Sequence, residues 1–144
     1  MNLEPFGWWH IPAALQIEQE LFHIQPWTAA QFWSELAAGD RRIFAAVEDG
    51  LLIGYADIQL RPDEAEILSI GVREAHQGRG IGYMLLRAMM DAAIASGARR
   101  ILLEARSGNA HAILFYERNG FTIVGHRKNY YAAGVDAVLM ECHV

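Results

Sequence analysis

Ile67-Leu68-Ser69-Ile70-Gly71-Val72-Arg73-Glu74-Ala75-His76-Gln77-Gly78-Arg79-Gly80-Ile81-Gly82 joins three local patterns in one run. Residues 67–72 are short and apolar, as a buried strand requires. Glycines then cluster at 78, 80 and 82. From Ile81 onward the apolar residues recur at helical spacing. A strand therefore ends, a glycine-rich turn follows, and a helix begins. That layout aims several backbone N–H groups at one point, at the positive end of a helix dipole. An anion fits there, a phosphate above all. Glycines remove the side chains that would hold a ligand off the backbone.

Downstream, Ile81, Met84, Leu85, Ala88, Met89 and Ala92 form the apolar face of a helix over 81–96, closed by Gly97. Residues 100–105 read as a strand. A strand–helix–strand crossover sets it parallel to 65–72. Asn109 caps a last helix over 110–119, with Gly120 as its stop. Strands over 121–125 and 137–142 follow, around a loop over 129–136.

Upstream, Asp49-Gly50 turns between strands 42–48 and 51–60, and Arg61-Pro62-Asp63-Glu64 turns into 65–72. These three strands make a meander. Before them lie helices over 13–23 and 29–38. The first has Pro12 in its opening turn and is stopped by Pro26; the second is capped by Thr28 and ended by Gly39. Residues 3–9 form a short strand or an extended lead-in. Trp27 and Trp33 are packing residues, unless Pro26-Trp27 is a substrate-lining loop. With no repeat, linker or low-complexity tract, residues 1–144 form one α/β domain.

The 144 residues suffice for one sizeable core. A net charge of −5 argues against nucleic acid as the main partner and suits a basic or amine-bearing substrate. The single cysteine, Cys142, permits no internal disulfide and fits a reducing cytoplasm. The first ten residues do not read as a signal peptide, and no window suggests a membrane span. His10, His23, His76, His111, His126 and His143 lack metal-ligand spacing, so they read as surface or loop residues and no metal is expected.

Two nucleotide motifs fail. A phosphate loop of the ATP-hydrolysing type needs Lys then Ser or Thr after its last glycine, but Tyr83 follows Gly82. A dinucleotide fingerprint needs a third glycine where Tyr83 stands. Gln77, Gly80 and Gly82 match Gln-x-x-Gly-x-Gly instead. In its strand-to-helix context this resembles the pyrophosphate loop of the Gcn5-related N-acetyltransferase (GNAT) family, which uses acetyl-coenzyme A. The runs Leu103-Glu104-Ala105-Arg106, Asn109-Ala110-His111-Ala112-Ile113 and Phe115-Tyr116-Glu117-Arg118-Asn119-Gly120-Phe121 resemble the second half of that coenzyme site. With Arg127-Lys128-Asn129-Tyr130-Tyr131 they are similar to the RimI branch, which acetylates the N-terminal alanine of a small-subunit ribosomal protein. Residues 130–137 resemble a motif of protein N-terminal acetyltransferases, except that Val135 stands where the family carries Glu, beside a retained Asp136.

The resemblance implies a mixed, mostly antiparallel central sheet flanked by helices. It implies coenzyme contacts from Ile70, Gly71 and Val72 for the pantetheine arm, and from Gln77, Gly78, Gly80, Ile81, Gly82 and Tyr83 for the pyrophosphate. Arg79 is either a phosphate contact or a solvated loop charge. Asn109 and Tyr116 are seven residues apart, two helical turns, so they share a face. In the resemblance Asn109 lies by the pantetheine and Tyr116 is the general acid at the sulfur, although a tyrosine beside Phe115 and Phe121 also suits a core. Glu104 is a carboxylate out of pattern at the end of an apolar strand, where burial is expected; in the resemblance it is the general base, and a solvent-exposed strand-end glutamate is the alternative. Tyr131 is a peptide contact or packs the last hairpin.

An α-amino group has a pKa of about 8, against about 10.4 for lysine, so an N-terminus needs only modest base assistance. No nucleophile for a covalent acetyl-enzyme stands out, so direct transfer is expected. The expected partner is a protein N-terminus, without nucleic acid or membrane. A small-molecule amine or a lysine side chain is the alternative acceptor. An acyl-coenzyme A-binding module without turnover is the alternative of a different class.

Overall fold

Seven strands build one sheet in the order β1-β2-β3-β4-β5-β7-β6. The structure, a computed structural model, describes residues 1–22 and 25–144. The strands are β1 (Asn2–Pro5), β2 (Arg41–Glu48), β3 (Leu51–Leu60), β4 (Glu64–Val72), β5 (Arg100–Arg106), β6 (Thr122–Ala132) and β7 (Val135–His143). Every neighbouring pair is antiparallel except β4 and β5. The crossover helix between those two forces their parallel sense.

The helices are α1 (Ile11–Leu21), α2 (Ala29–Ala37), α3 (Ile81–Ala95) and α4 (Ala110–Arg118). The expected end of the first helix at His23 lies outside the described residues. Thr28 and Gln31 start α2 with reciprocal bonds: Thr28 Oγ1 accepts from the Gln31 N–H at 3.2 Å, and Gln31 Oε1 from the Thr28 N–H at 2.8 Å.

Two cores cover the two faces of the sheet. Ile81, Leu85, Leu86 and Met89 of α3 and Tyr116 of α4 pack with Ile58, Ile67, Ile101 and Met140. On the other face Ile11, Ala14 and Ile17 of α1 and Phe32 of α2 pack with Ile43, Ala45 and Tyr55. Alternation along β3 sends Tyr55 and Asp57 to the α1–α2 side, and Ala56 and Ile58 to the α3 side.

Two expectations change. The loop over 129–136 is a hairpin, in which β6 and β7 extend to Ala132 and Val135. Its turn-forming residues bind each other: the Asn129 N–H donates to Asp136 Oδ1 at 2.9 Å, and the Gly134 N–H to Asn129 Oδ1 at 2.7 Å. Val135 faces Ala132 at the tip. His10 is buried rather than on the surface. Its Nδ1 accepts the Gly7 N–H at 2.9 Å, which leaves Nε2 to donate to Glu4 at 3.2 Å.

Candidate active site

The β4–β5 ladder runs from Glu64↔Arg100 to Ile67↔Leu103 and stops. Past that point β5 stays on β7 through Arg106, while β4 stays on β3 through Val72. Opposite β3, Ser69 faces Asp57 and Ile67 faces Ile58, so Leu68 is an extra residue, a β-bulge. A bulge bends its strand and ends pairing. The parallel strands therefore part, and a cleft of about 1650 Å³ opens between them. Ordinary small-molecule pockets measure about 300–1,000 Å³, so this one has room for a long ligand and an acceptor.

The glycine loop lines the cleft. Gly78 and Gly80 take φ of +78° and +82°, and the Cβ absent from each would meet nothing within 4 Å. The Met84 N–H is the first to bond within α3, to the Gly80 carbonyl at 3.1 Å. The N–H groups of Ile81, Gly82 and Tyr83 precede it and have no acceptor within the helix. Gln77, Gly78, Gly80, Ile81, Gly82 and Tyr83 all line the cleft. Gln77 does so as a clamp: its Nε2 donates to the Val72 carbonyl at 3.0 Å. Arg79 does not line the cleft. Its guanidinium, about half exposed, pairs with Glu48 of β2 at 2.6 and 3.1 Å.

Ile70, Gly71 and Val72 line one wall, past the end of the β5 ladder. Asn109 lines the cleft from the start of α4. Its oxygen caps the Ala112 N–H at 3.1 Å, which leaves its amide N–H2 for a ligand.

Glu104 lies one residue past the last β4–β5 pair, at the apex of the split. Its side chain is 19 % exposed and 3.6 Å from Arg127 Nη1, so it is less buried than its strand position suggests. Tyr130 bonds to it; that bond, with burial, pushes the Tyr130 phenol up. Tyr116 is buried between Phe115 and Phe121, at centroid distances of 5.4 and 5.6 Å, yet it lines the cleft. The core and cleft readings of Tyr116 thus hold together. Burial drives its phenol well above the ordinary range, with Tyr131 as a lesser cause. Tyr131 lines the cleft under the Arg106 guanidinium at 5.2 Å, its phenol raised by burial and by Glu104.

The floor holds residues that the sequence reading passed over. Glu18 of α1 is 2 % exposed and lines the cleft. Its Oε1 accepts the Trp27 N–H at 2.7 Å, and its Oε2 accepts the Tyr55 hydroxyl. The Tyr55 oxygen lies 3.0 Å from Ser69 Oγ. Burial raises the Glu18 carboxyl to about 7, against the opposing pull of the Trp27 N–H and Arg106. Trp27 lines the cleft and packs its edge on Phe32; Trp33 is 54 % exposed. Cys142 is buried outside the cleft, and burial pushes its thiol up.

Known proteins share this architecture. The model of the Acetyltransferase (GNAT) family matches residues 11–121. N-alpha-acetyltransferase RimI of Mycobacterium tuberculosis is 40 % identical over 132 residues, covering 88 % of this chain and 82 % of that protein. The [ribosomal protein bS18]-alanine N-acetyltransferase of Escherichia coli K12 is 35 % identical over 134 residues, covering 90 % of this chain and 88 % of that protein. The crystal structure of the ribosomal-protein-S18-alanine N-acetyltransferase from Escherichia coli superposes with a TM-score of 0.90 at 31 % identity, over 99 % of this chain and 93 % of that one. With the family model spanning most of its length and these relatives nearly all of it, the chain belongs to the GNAT acetyltransferase family.

Proposed function

We propose that this enzyme transfers the acetyl group of acetyl-coenzyme A to a protein N-terminal amine, the N-terminal alanine of a small-subunit ribosomal protein. One observation carries the reading: the glycine loop, the unladdered edge of β4, Glu104 and Tyr116 all line a single cleft. The relatives named for an alanine acceptor support the choice of amine. Such a substrate places the enzyme in the cytoplasm.

The residues fit the coenzyme. Gly78, Gly80, Ile81, Gly82 and Tyr83 offer a concentration of N–H groups to the pyrophosphate. Ile70, Gly71 and Val72 offer main-chain bonds to an extended arm, and Asn109 offers its amide. Gln77 holds the loop closed, and Arg79 anchors it to β2 through Glu48. When bound, the coenzyme supplies a thioester carbonyl and a sulfur leaving group. Glu104 takes the proton that the amine nitrogen loses as the N–C bond forms. With the coenzyme bound, Tyr116 would offer its phenolic O–H to the sulfur as a hydrogen-bond donor. A thiol has a pKa of about 8.5, and the Tyr116 phenol sits far above that, so hydrogen-bond donation to the developing charge outweighs full proton transfer. Tyr131 walls the acceptor side. Transfer is direct, because the one thiol lies outside the cleft.

A panel of peptides and small amines, read by release of coenzyme A, tests the proposal. An alanine-starting peptide should outpace a matched peptide that is blocked at its N-terminus and bears lysine. Equal rates would remove the N-terminal reading. Turnover of small amines alone would replace it, and coenzyme binding without any turnover would reduce the protein to a binding module.

A further inference from the structure

Glu104 accounts for the proton lost while the new bond forms. It does not account for an earlier one. An α-amino group with a pKa of about 8 enters largely as an ammonium at neutral pH, and an ammonium has no lone pair with which to attack. One proton must leave before the chemistry begins. The cleft floor holds a chain of groups suited to take it. Ser69 on β4 and Glu18 on α1 both line the cleft, Glu18 with only 2 % of its surface exposed, and Tyr55 is fully buried on β3. The Ser69 and Tyr55 oxygens are 3.0 Å apart, and the Tyr55 hydroxyl meets Glu18 Oε2.

The chain has two polarities. With Glu18 ionised, Tyr55 donates to Glu18, Ser69 donates to Tyr55, and a lone pair on Ser69 Oγ is left for the cleft. With Glu18 protonated, Glu18 donates to Tyr55, Tyr55 to Ser69, and Ser69 presents its O–H instead. Switching between the two moves one proton from the cleft to Glu18. We propose that Ser69, Tyr55 and Glu18 form a proton relay that strips the incoming ammonium before acetyl transfer.

The balance is simple. The N–H bond of the ammonium breaks and a new O–H bond forms on Ser69. The old Ser69 proton passes to Tyr55 and the old Tyr55 proton to Glu18, with no redox change. After product leaves, the chain runs backward and returns the proton to solvent. The energies match: the Glu18 carboxyl at about 7 lies close to an ammonium at about 8, so neither direction is steep. Among the described residues facing Glu18, Tyr55 comes from β3, Arg106 from β5, and the Trp27 N–H from the segment before α2. The Trp27 N–H first, and then Arg106, keep the ionised form within reach despite burial. Bulk water entering the cleft is the competing route for the proton, and the test separates the two.

The inference rests on the acetyltransferase reading and uses whichever amine the panel shows to be turned over. kcat/KM is measured from about pH 6.5 to about pH 9.5 for the wild type and for Ser69→Ala, Tyr55→Phe, Glu18→Gln and Ser69→Thr. The first three should lose roughly tenfold or more at the acid end. They should converge on the wild type within about twofold at the alkaline end, where the amine is already neutral. Ser69→Thr keeps the hydroxyl and should restore the profile. KM for acetyl-coenzyme A should not move. If Glu18→Gln fails to fold, Ser69→Ala decides. Profiles that superpose on the wild type, or a loss equal at every pH, overturn the relay while the enzymatic reading stands. A wild-type protein that turns over no amine removes both.

Discussion

Tyr116 shows how one side chain can belong to a core and to a site. Its ring packs between Phe115 and Phe121, and the residue also lines the cleft. Tyr116→Phe keeps the packing and removes only the hydroxyl. It should lower kcat by roughly 10- to 100-fold and leave KM for acetyl-coenzyme A near the wild-type value. Steady-state kinetics with both substrates varied would check this, and an unchanged kcat would take away the role at sulfur. Glu104→Gln should likewise depress kcat rather than coenzyme affinity. The resemblance, together with the seven-residue spacing from Asn109, points to Tyr116, and both residues line the cleft. Glu18 was not legible in sequence. It stands among Gln16, Gln19 and Glu20, where it reads as part of a solvated helix face. Its partner Tyr55 lies 37 residues on, so only the folded chain reveals a buried carboxylate.

At the scale of elements, the glycine loop and the split strands decide where a ligand can go. Gly80 caps α3 in the left-handed region, and a side chain there would point into open space. Gly80→Glu therefore costs only backbone strain, about 1–2 kcal/mol. On the proposed function its carboxylate would bring negative charge to the N–H groups offered to the pyrophosphate. Acetyl-coenzyme A affinity should fall at least 100-fold by calorimetry, with melting lowered by only a few degrees. Retained affinity would remove the loop from the binding site. The loop and the meander were readable because their signals are local: glycine spacing, turn dipeptides and apolar period. The bulge at Leu68 was not, since nothing in 64–72 separates a bulged strand from a regular one. The β6–β7 hairpin was misread for a related reason. Asn129, Gly134 and Asp136 are turn formers, and their mutual bonds let two strands continue past them. That continuation brings Tyr130 and Tyr131 to the cleft wall.

For the whole molecule, the α1–α2 face of the sheet carries two acids that are buried away from water, and this couples folding to pH. Asp57 on β3 is fully buried, and among the described residues neither of its oxygens receives an N–H or O–H donor. It faces the Glu35 carboxyl of α2, so a bond between them forms only when one holds a proton. Burial first, then Glu35, raises the Asp57 carboxyl from 3.8 to about 9; Arg41 opposes the shift and Asp40 adds to it. The folded state thus binds a proton that the unfolded state has released. Such a group favours folding most at low pH, and that contribution drains away as pH rises from about 4 toward about 9. Glu18 adds to the same slope up to about 7, so above neutrality Asp57 dominates. Asp57→Asn stays uncharged at every pH, and its amide can donate to Glu35. Between about pH 6 and pH 8.5 the melting temperature of the wild type should fall more steeply than that of the variant, which keeps only the Glu18 slope up to about 7. The two melting curves should therefore cross or converge on the alkaline side. Parallel slopes in thermal unfolding would mean that Asp57 is already ionised in the folded protein, with Arg41 rather than a proton holding it beside Glu35.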